Sequence, residues 1–212
     1  LLLLLLCSFF FAESAEPLGK FCNKKTNISA NIDHLLPQLI SGAALSGFIV
    51  TSYGKAENKV YGLAQCRGDI SSKDCLSCII DAASEILKRC PNQADARIWY
   101  EYCFLRYDMK DFFGEVDTSF SILYINLENV TTHPEVFNNE LGALMDQISS
   151  QAVVPTNKGL GKGETKLSPS VTLYALVQCT RDLSHLSCTQ CLAIGIGNLT
   201  NFCKNRKGCQ VL

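Results

Sequence analysis

The chain opens on an almost unbroken apolar run, Leu1–Ala12, followed by small and polar residues up to Pro17. Twelve residues fall short of the roughly 20 needed for a bilayer helix. They suit the apolar core of a secretory signal peptide, assigned to residues 1–15 and cleaved near Ala12–Ala15. With no initiating Met and no basic lead-in, the chain is expected to begin inside that signal. A buried N-terminal strand is the alternative, although six consecutive leucines show no alternation. Further on, Ile32, Leu35, Leu36, Leu39 and Ile40 repeat at helical spacing, with Pro37 expected to kink or shorten the helix. Two strand-like runs follow, 48–52 and 59–64, separated by a polar turn at 54–58. Cys75, Cys78, Ile79, Ala82, Ala83, Ile86, Leu87 and Cys90 then mark one face of a second helix, capped by Ser71 or Ser72. Aromatic-rich strand-like sequence spans 97–103 and 104–113. After it come a strand at 121–126 and a helix from about Pro134, with Phe137, Leu141, Leu144, Met145 and Ile148 inward. Residues 157–168 read as a polar, Gly- and Lys-rich loop. No later stretch is long and apolar enough to cross a membrane.

An internal repeat organises these elements. Tyr61-Gly-Leu-Ala-Gln-Cys66 realigns with Tyr174-Ala-Leu-Val-Gln-Cys179. Cys75, Cys78 and Cys90 then fall on Cys188, Cys191 and Cys203 at the same offset of 113. Four cysteines in register without a gap indicate tandem duplication, with copy one at 16–117 and copy two at 118–212. Cys103 would find its counterpart near position 216, so copy two is expected to be C-terminally incomplete. Each copy reads as an α+β unit, most economically a small antiparallel sheet with two helices on one face.

Composition changes the picture through cysteine. Twelve in 212 residues point to an oxidising compartment, and eleven remain once Cys7 leaves with the signal. Sequons at Asn27, Asn129 and Asn198 suit glycosylation there. The net charge of -1 gives no argument for nucleic acid or an anionic membrane as partner. Cys-x8-Cys-x2-Cys occurs in both copies. Zinc would require four clustered thiolate or imidazole ligands, whereas each copy carries one Cys-x-x-Cys and the chain only three His. A redox pair is disfavoured by the flanking cysteines. Structural disulfides are the better reading, with no metal and no cofactor, and the six cysteines of copy one allow fifteen pairings.

The repeated cysteine spacing, the Tyr-Gly-Leu-Ala-Gln-Cys lead-in and Arg97-Ile-Trp-Tyr-Glu-Tyr-Cys-Phe-Leu-Arg-Tyr-Asp108 resemble the ginkbilobin-2-homologous domain of plants. Tandem copies occur in cysteine-rich repeat secretory proteins, plasmodesmata-located proteins and the ectodomains of cysteine-rich receptor-like kinases. The resemblance implies a five-stranded antiparallel sheet packed on two helices in each copy. It implies the pairs Cys22–Cys90, Cys66–Cys75 and Cys78–Cys103 in copy one, and Cys179–Cys188 in copy two. No cysteine matches Cys22 in copy two, so Cys203 is expected to take Cys209 and leave Cys191 unpaired.

The founding member of the family resembles a mannose-binding antifungal lectin, whose binding trio maps onto Asn23, Arg97 and Asp108. The last is a Glu in the family pattern, and the shorter Asp withdraws the carboxylate. An amide, a guanidinium and a carboxylate together can hydrogen-bond vicinal hydroxyls. Alternatively, Asn23 caps a turn while Arg97 and Asp108 form a cross-strand ion pair. In copy two the trio falls on Val136, Gln210 and a position past residue 212, so sugar binding would belong to copy one. His34, His133 and His185 stand apart from any triad-like spacing, which disfavours an enzyme. Gly159-Leu-Gly161-Lys-Gly163 lacks phosphate-loop spacing. Asp69 and Asp182, repeated after the leading cysteine of each copy, read as turn or helix-opening residues. Three functional classes remain: a secreted apoplastic defence or mannose-type glycan-binding protein, part of a receptor-kinase or plasmodesmal ectodomain, and a module binding cell-surface or apoplastic proteins.

Overall fold

The computed structural model describes residues 16–25 and 29–212. The signal peptide and Asn27 lie outside the described residues.

Copy one carries strand β1 (Gly19–Lys25), helix α1 (Ser29–Ser46), strands β2 (Phe48–Tyr53) and β3 (Val60–Cys66), helix α2 (Ser72–Arg89), and strands β4 (Gln93–Trp99) and β5 (Cys103–Asp108). The strands form one antiparallel sheet in the order β1-β4-β5-β3-β2. Both helices cover the face that carries Ala64, Ala96, Ile98, Leu105 and Tyr107. Leu35, Leu39, Ile79 and Ile86 complete a core from which solvent is excluded. Gly62 admits Leu35 and Leu39 against the sheet, since a Cβ there would crowd both side chains. Ser71 caps α2 by accepting the Asp74 N–H, and Lys88 and Arg89 in the last turn oppose the helix dipole.

Three readings of copy one change. Helix α1 runs unbroken through Pro37 for 18 residues. The proline ring sits on the exposed side, where water can solvate the carbonyl that loses its donor. Strand β4 begins at Gln93, ahead of the aromatic run, and β1 is an additional strand. The strand-like sequence at 104–113 ends at Asp108, and beyond it Phe112 and Phe113 belong to a connecting segment.

Copy two contains β6 (Leu123–Ile125), α3 (Pro134–Ala152), β7 (Leu160–Ser168), β8 (Val171–Gln178), α4 (His185–Phe202) and β9 (Cys209–Val211). The five-stranded sheet expected of each copy is complete only in copy one. Here β6 pairs with β9 and β7 with β8, as two separate ribbons. These correspond to β1-β4 and β2-β3, and the central strand that would join them, equivalent to β5, has no counterpart among the described residues. Among the described residues β8 pairs with β7 alone, and the copy-two core is built around Leu144, Met145, Ile148, Val177 and Leu192.

Most of the segment read as a loop at 157–168 is strand β7, Leu160–Ser168, with only 157–159 in a turn. Its hydrophobic signal is hidden because glycine serves where larger side chains would normally face inward. A Cβ at Gly161 would overlap the Ile148 carbonyl of α3, so the strand can lie directly on the helix backbone only as glycine.

Disulfides join Cys22–Cys90, Cys66–Cys75, Cys78–Cys103, Cys179–Cys188 and Cys203–Cys209, while the half-buried Cys191 is a free thiol. None of the described helices is long and apolar enough to cross a membrane.

Candidate functional site

Three adjacent strands bring the candidate sugar residues to one face of the copy-one sheet, opposite the helices. The β1–β4 and β4–β5 registers place Asn23 opposite Asp95 and Asp95 opposite Asp108, in a single row that continues to Tyr61. One pleat along, Phe21, Arg97 and Arg106 form a second row. Side chains two residues apart on a strand share a face, so Arg97 and Asp108 lie diagonally across the two rows.

The two arginines are nearly buried, Arg97 at 5% and Arg106 at 8% exposure. Both turn toward one carboxylate that sequence reasoning had not singled out. Asp117, in the segment connecting the copies, receives Nη2 of Arg97 at 2.8 Å and Nη2 of Arg106 at 3.1 Å. Arg97 also lies 3.5 Å from Asp95, and Arg106 lies 3.6 Å from Asp108. The guanidinium of Arg97 sits over the Phe21 ring and that of Arg106 over Phe112. Asp108 accepts the Lys110 N–H, and Asn23 is exposed. Arg97 thus meets Asp117 and Asp95, while Asp108 pairs with Arg106 two residues away on its own strand, β5, and not across strands with Arg97. The period-two repetition Asp95-x-Arg97 and Arg106-x-Asp108 was the available signal for this lattice.

Two guanidinium groups face three carboxylates, and the local field pushes two of these, Asp117 and Asp95, in opposite directions. Burial works against ionisation of Asp117. The Ser119 hydroxyl and N–H, with Arg97 and Arg106, outweigh it and hold its pKa down at about 2. For Asp95, burial together with the like charge of Asp108 wins over Arg97 and lifts the carboxyl above its usual range. Phe120 packs on Phe21 and faces Trp99, so the connecting segment covers this end of the sheet.

A second constellation joins the copies. Gln65, 4% exposed, donates from Nε2 to the Cys179 carbonyl at 2.8 Å, and its Oε1 accepts the Arg181 N–H at 2.7 Å. Gln178, its repeat counterpart, donates to the Cys66 carbonyl at 3.1 Å. Each copy thus inserts the amide preceding its leading cysteine against the other copy's cysteine backbone. Both glutamines stand in the repeated lead-in, which was the signal for them. Asp69 and Asp182 do more than open helices. Asp69 takes Arg67 at 2.7 Å and, across the junction, Lys162 at 3.0 Å, while Asp182 accepts the Gly114 N–H of the connecting segment at 2.9 Å.

The histidines occupy separate places. His34 stacks on Tyr53, His133 precedes α3 in a left-handed conformation, and His185 opens α4. Asn129 is exposed beside the bridge it forms with Arg206, and Asn198 lies half-buried on α4.

Comparison with known proteins agrees with this architecture. The family model described as "Salt stress response/antifungal" matches residues 13–110 and again 125–212. Cysteine-rich repeat secretory protein 55 of Arabidopsis thaliana is 52% identical, over 100% of this chain and 83% of that protein. The antimicrobial ginkbilobin-2-like protein of Castanea crenata is 38% identical, over 99% and 89% respectively. Cysteine-rich receptor-like protein kinase 26 of Arabidopsis thaliana is 30% identical over 96% of this chain, which spans 32% of the kinase. The crystal structure of the tandem DUF26 ectodomain of the Arabidopsis thaliana cysteine-rich receptor-like protein PDLP8 superposes with a TM-score of 0.77. It has 28% identity and covers 92% of this chain and 96% of that one. With its duplicated cysteine framework and its α+β fold, the chain belongs to the salt stress response/antifungal (DUF26) family, as a tandem protein of the cysteine-rich repeat secretory type.

Proposed function

We propose that the chain is a secreted, non-enzymatic recognition module of the plant apoplast, serving defence, in which the two copies present one joint binding surface. The observation that carries this reading is the reciprocal glutamine exchange. One buried amide, Gln65, and one half-buried amide, Gln178, each bonded to the other copy's backbone, would cost several hydrogen bonds to separate, so both copies are expected to meet a partner as one preformed surface. Relatives named as secretory, antimicrobial and receptor-like proteins favour an extracellular setting. Glycosylated protein from a plant secretory host, titrated against extracellular receptor domains and cell-wall glycans, tests the reading. Saturable binding that weakens at least tenfold in Gln65→Ala/Gln178→Ala supports it. Binding unaffected by that pair of changes contradicts the joint surface.

Mannose recognition by Asn23, Arg97 and Asp108 is the second reading, favoured by the row that brings Asn23 and Asp108 to either side of Asp95. A sugar would have to compete with Asp117 for the Arg97 guanidinium. On this reading, calorimetric titration with mannose gives tighter binding in Asp117→Asn than in the wild type and none in Arg97→Ala. Absence of binding in all three removes it.

A further inference from the structure

At the opposite end of β3 from the Asn23–Asp108 row, the junction between the copies forms an open cleft with a volume of about 120 Å³. Copy one contributes Arg67 and Ser72 to its wall, and copy two contributes Lys158 and Arg181. No carboxylate lines it. Arg67 spends its Nε on Asp69 and lies 3.7 Å from Glu101 through Nη1, so its charge is partly compensated. Arg181 donates one Nη1–H to the Ser46 carbonyl at 2.9 Å and lays its guanidinium over Phe48. Those contacts orient the group without neutralising it. Neither Arg181 nor Lys158 forms an ion pair among the described residues.

The repeat does not account for this convergence. At the offset of 113, Arg181 corresponds to Gly68, Lys158 to Leu45, and Arg67 to Thr180. Three cations from positions unrelated by the repeat therefore line one cleft, two of them without an ion pair, an arrangement that favours an anion there. They approach from three segments: the β3–α2 connection, the turn before β7 and the β8–α4 connection. One fork on one side would suit a planar carboxylate, whereas charges on several sides suit a tetrahedral anion. The cavity volume accommodates one such group, and Ser72 adds a hydroxyl at the start of α2, where the helix field is positive.

We propose that this cleft is a binding site for a sulfate or phosphate group, either as the free ion or as a monoester on a larger ligand. It is separate from the Arg97–Asp117 cluster and does not depend on sugar binding.

Isothermal titration of the whole chain with sodium sulfate and with inorganic phosphate, at ionic strength held constant with chloride, tests the site. Wild type is expected to bind one ion per chain. Lys158→Gln, which removes a charge from an exposed side chain with no ion pair to break, is expected to weaken binding about fivefold. Lys158→Gln/Arg181→Gln is expected to abolish it, with near-ultraviolet circular dichroism confirming an intact fold. A sulfotyrosine peptide serves as the ester arm. If it binds more tightly than free sulfate, the group belongs to a larger ligand; if not, the free ion is the ligand. No heat beyond the chloride control, or wild-type affinity in Lys158→Gln, overturns the proposal.

Discussion

Asp117 shows how one side chain can fix the chemistry of a whole face. Its carboxylate lies between two nearly buried guanidinium groups, and a pKa of about 2 places its ionised form firmly in the folded state. A depressed carboxylate contributes stability that is fully present above the unfolded value near 4 and disappears as pH falls through about 2. For a group a quarter exposed, screening reduces that contribution to about 1–2 kcal/mol. Asp117→Asn is expected to lose this amount at neutral pH in urea denaturation. The gap between variant and wild type should close as pH falls from about 4 to about 2. An equal gap at both ends of that range would mean that Asp117 acts through packing, not charge. At this scale the sequence was partly legible. Asn23, Arg97 and Asp108 could be named and do reach one face, but Asp117 lies in a segment with no periodic pattern, and only the folded path brings it back over β4 and β5.

Elements tell a similar story with a different cause. Helices announced themselves wherever apolar spacing was undisturbed, as in α2 and α3, and the Pro37 signal misled because its ring faces water. Strand β7 was hidden because its inward positions are glycines set against the α3 backbone, which no hydrophobic pattern reports. Gly161→Ala is therefore expected to force β7 away from α3 at a cost of about 1–3 kcal/mol, read as a lower midpoint in urea. An unchanged midpoint would deny the close approach. In copy one, Cys22–Cys90 ties the first strand to the end of α2 across a sequence separation of 68. The chain-entropy estimate for a loop of this size is about 4 kcal/mol. Cys22→Ser/Cys90→Ser should lose most of it and free β1 for hydrogen exchange, whereas retained protection in β1 would show that β4 pairing alone holds the strand. Spacing could not select this pairing, because the choice depends on which strand end meets which helix end.

For the molecule as a whole, duplication was plain from four cysteines in register, and the manner in which the copies meet was not. The glutamine before each leading cysteine repeats openly, yet nothing in one dimension says that its amide crosses into the other copy. The copy-two core described here is the smaller of the two, so copy two is expected to unfold first once that junction is lost. Differential scanning calorimetry of the oxidised wild type and of Gln65→Ala/Gln178→Ala tests the unity of the two copies most directly. One cooperative transition in the wild type, resolving in the variant into an early copy-two transition and a later copy-one transition, is the predicted result. Two independent transitions already present in the wild type, or an unchanged single transition in the variant, would contradict a joint body held by the exchanged amides.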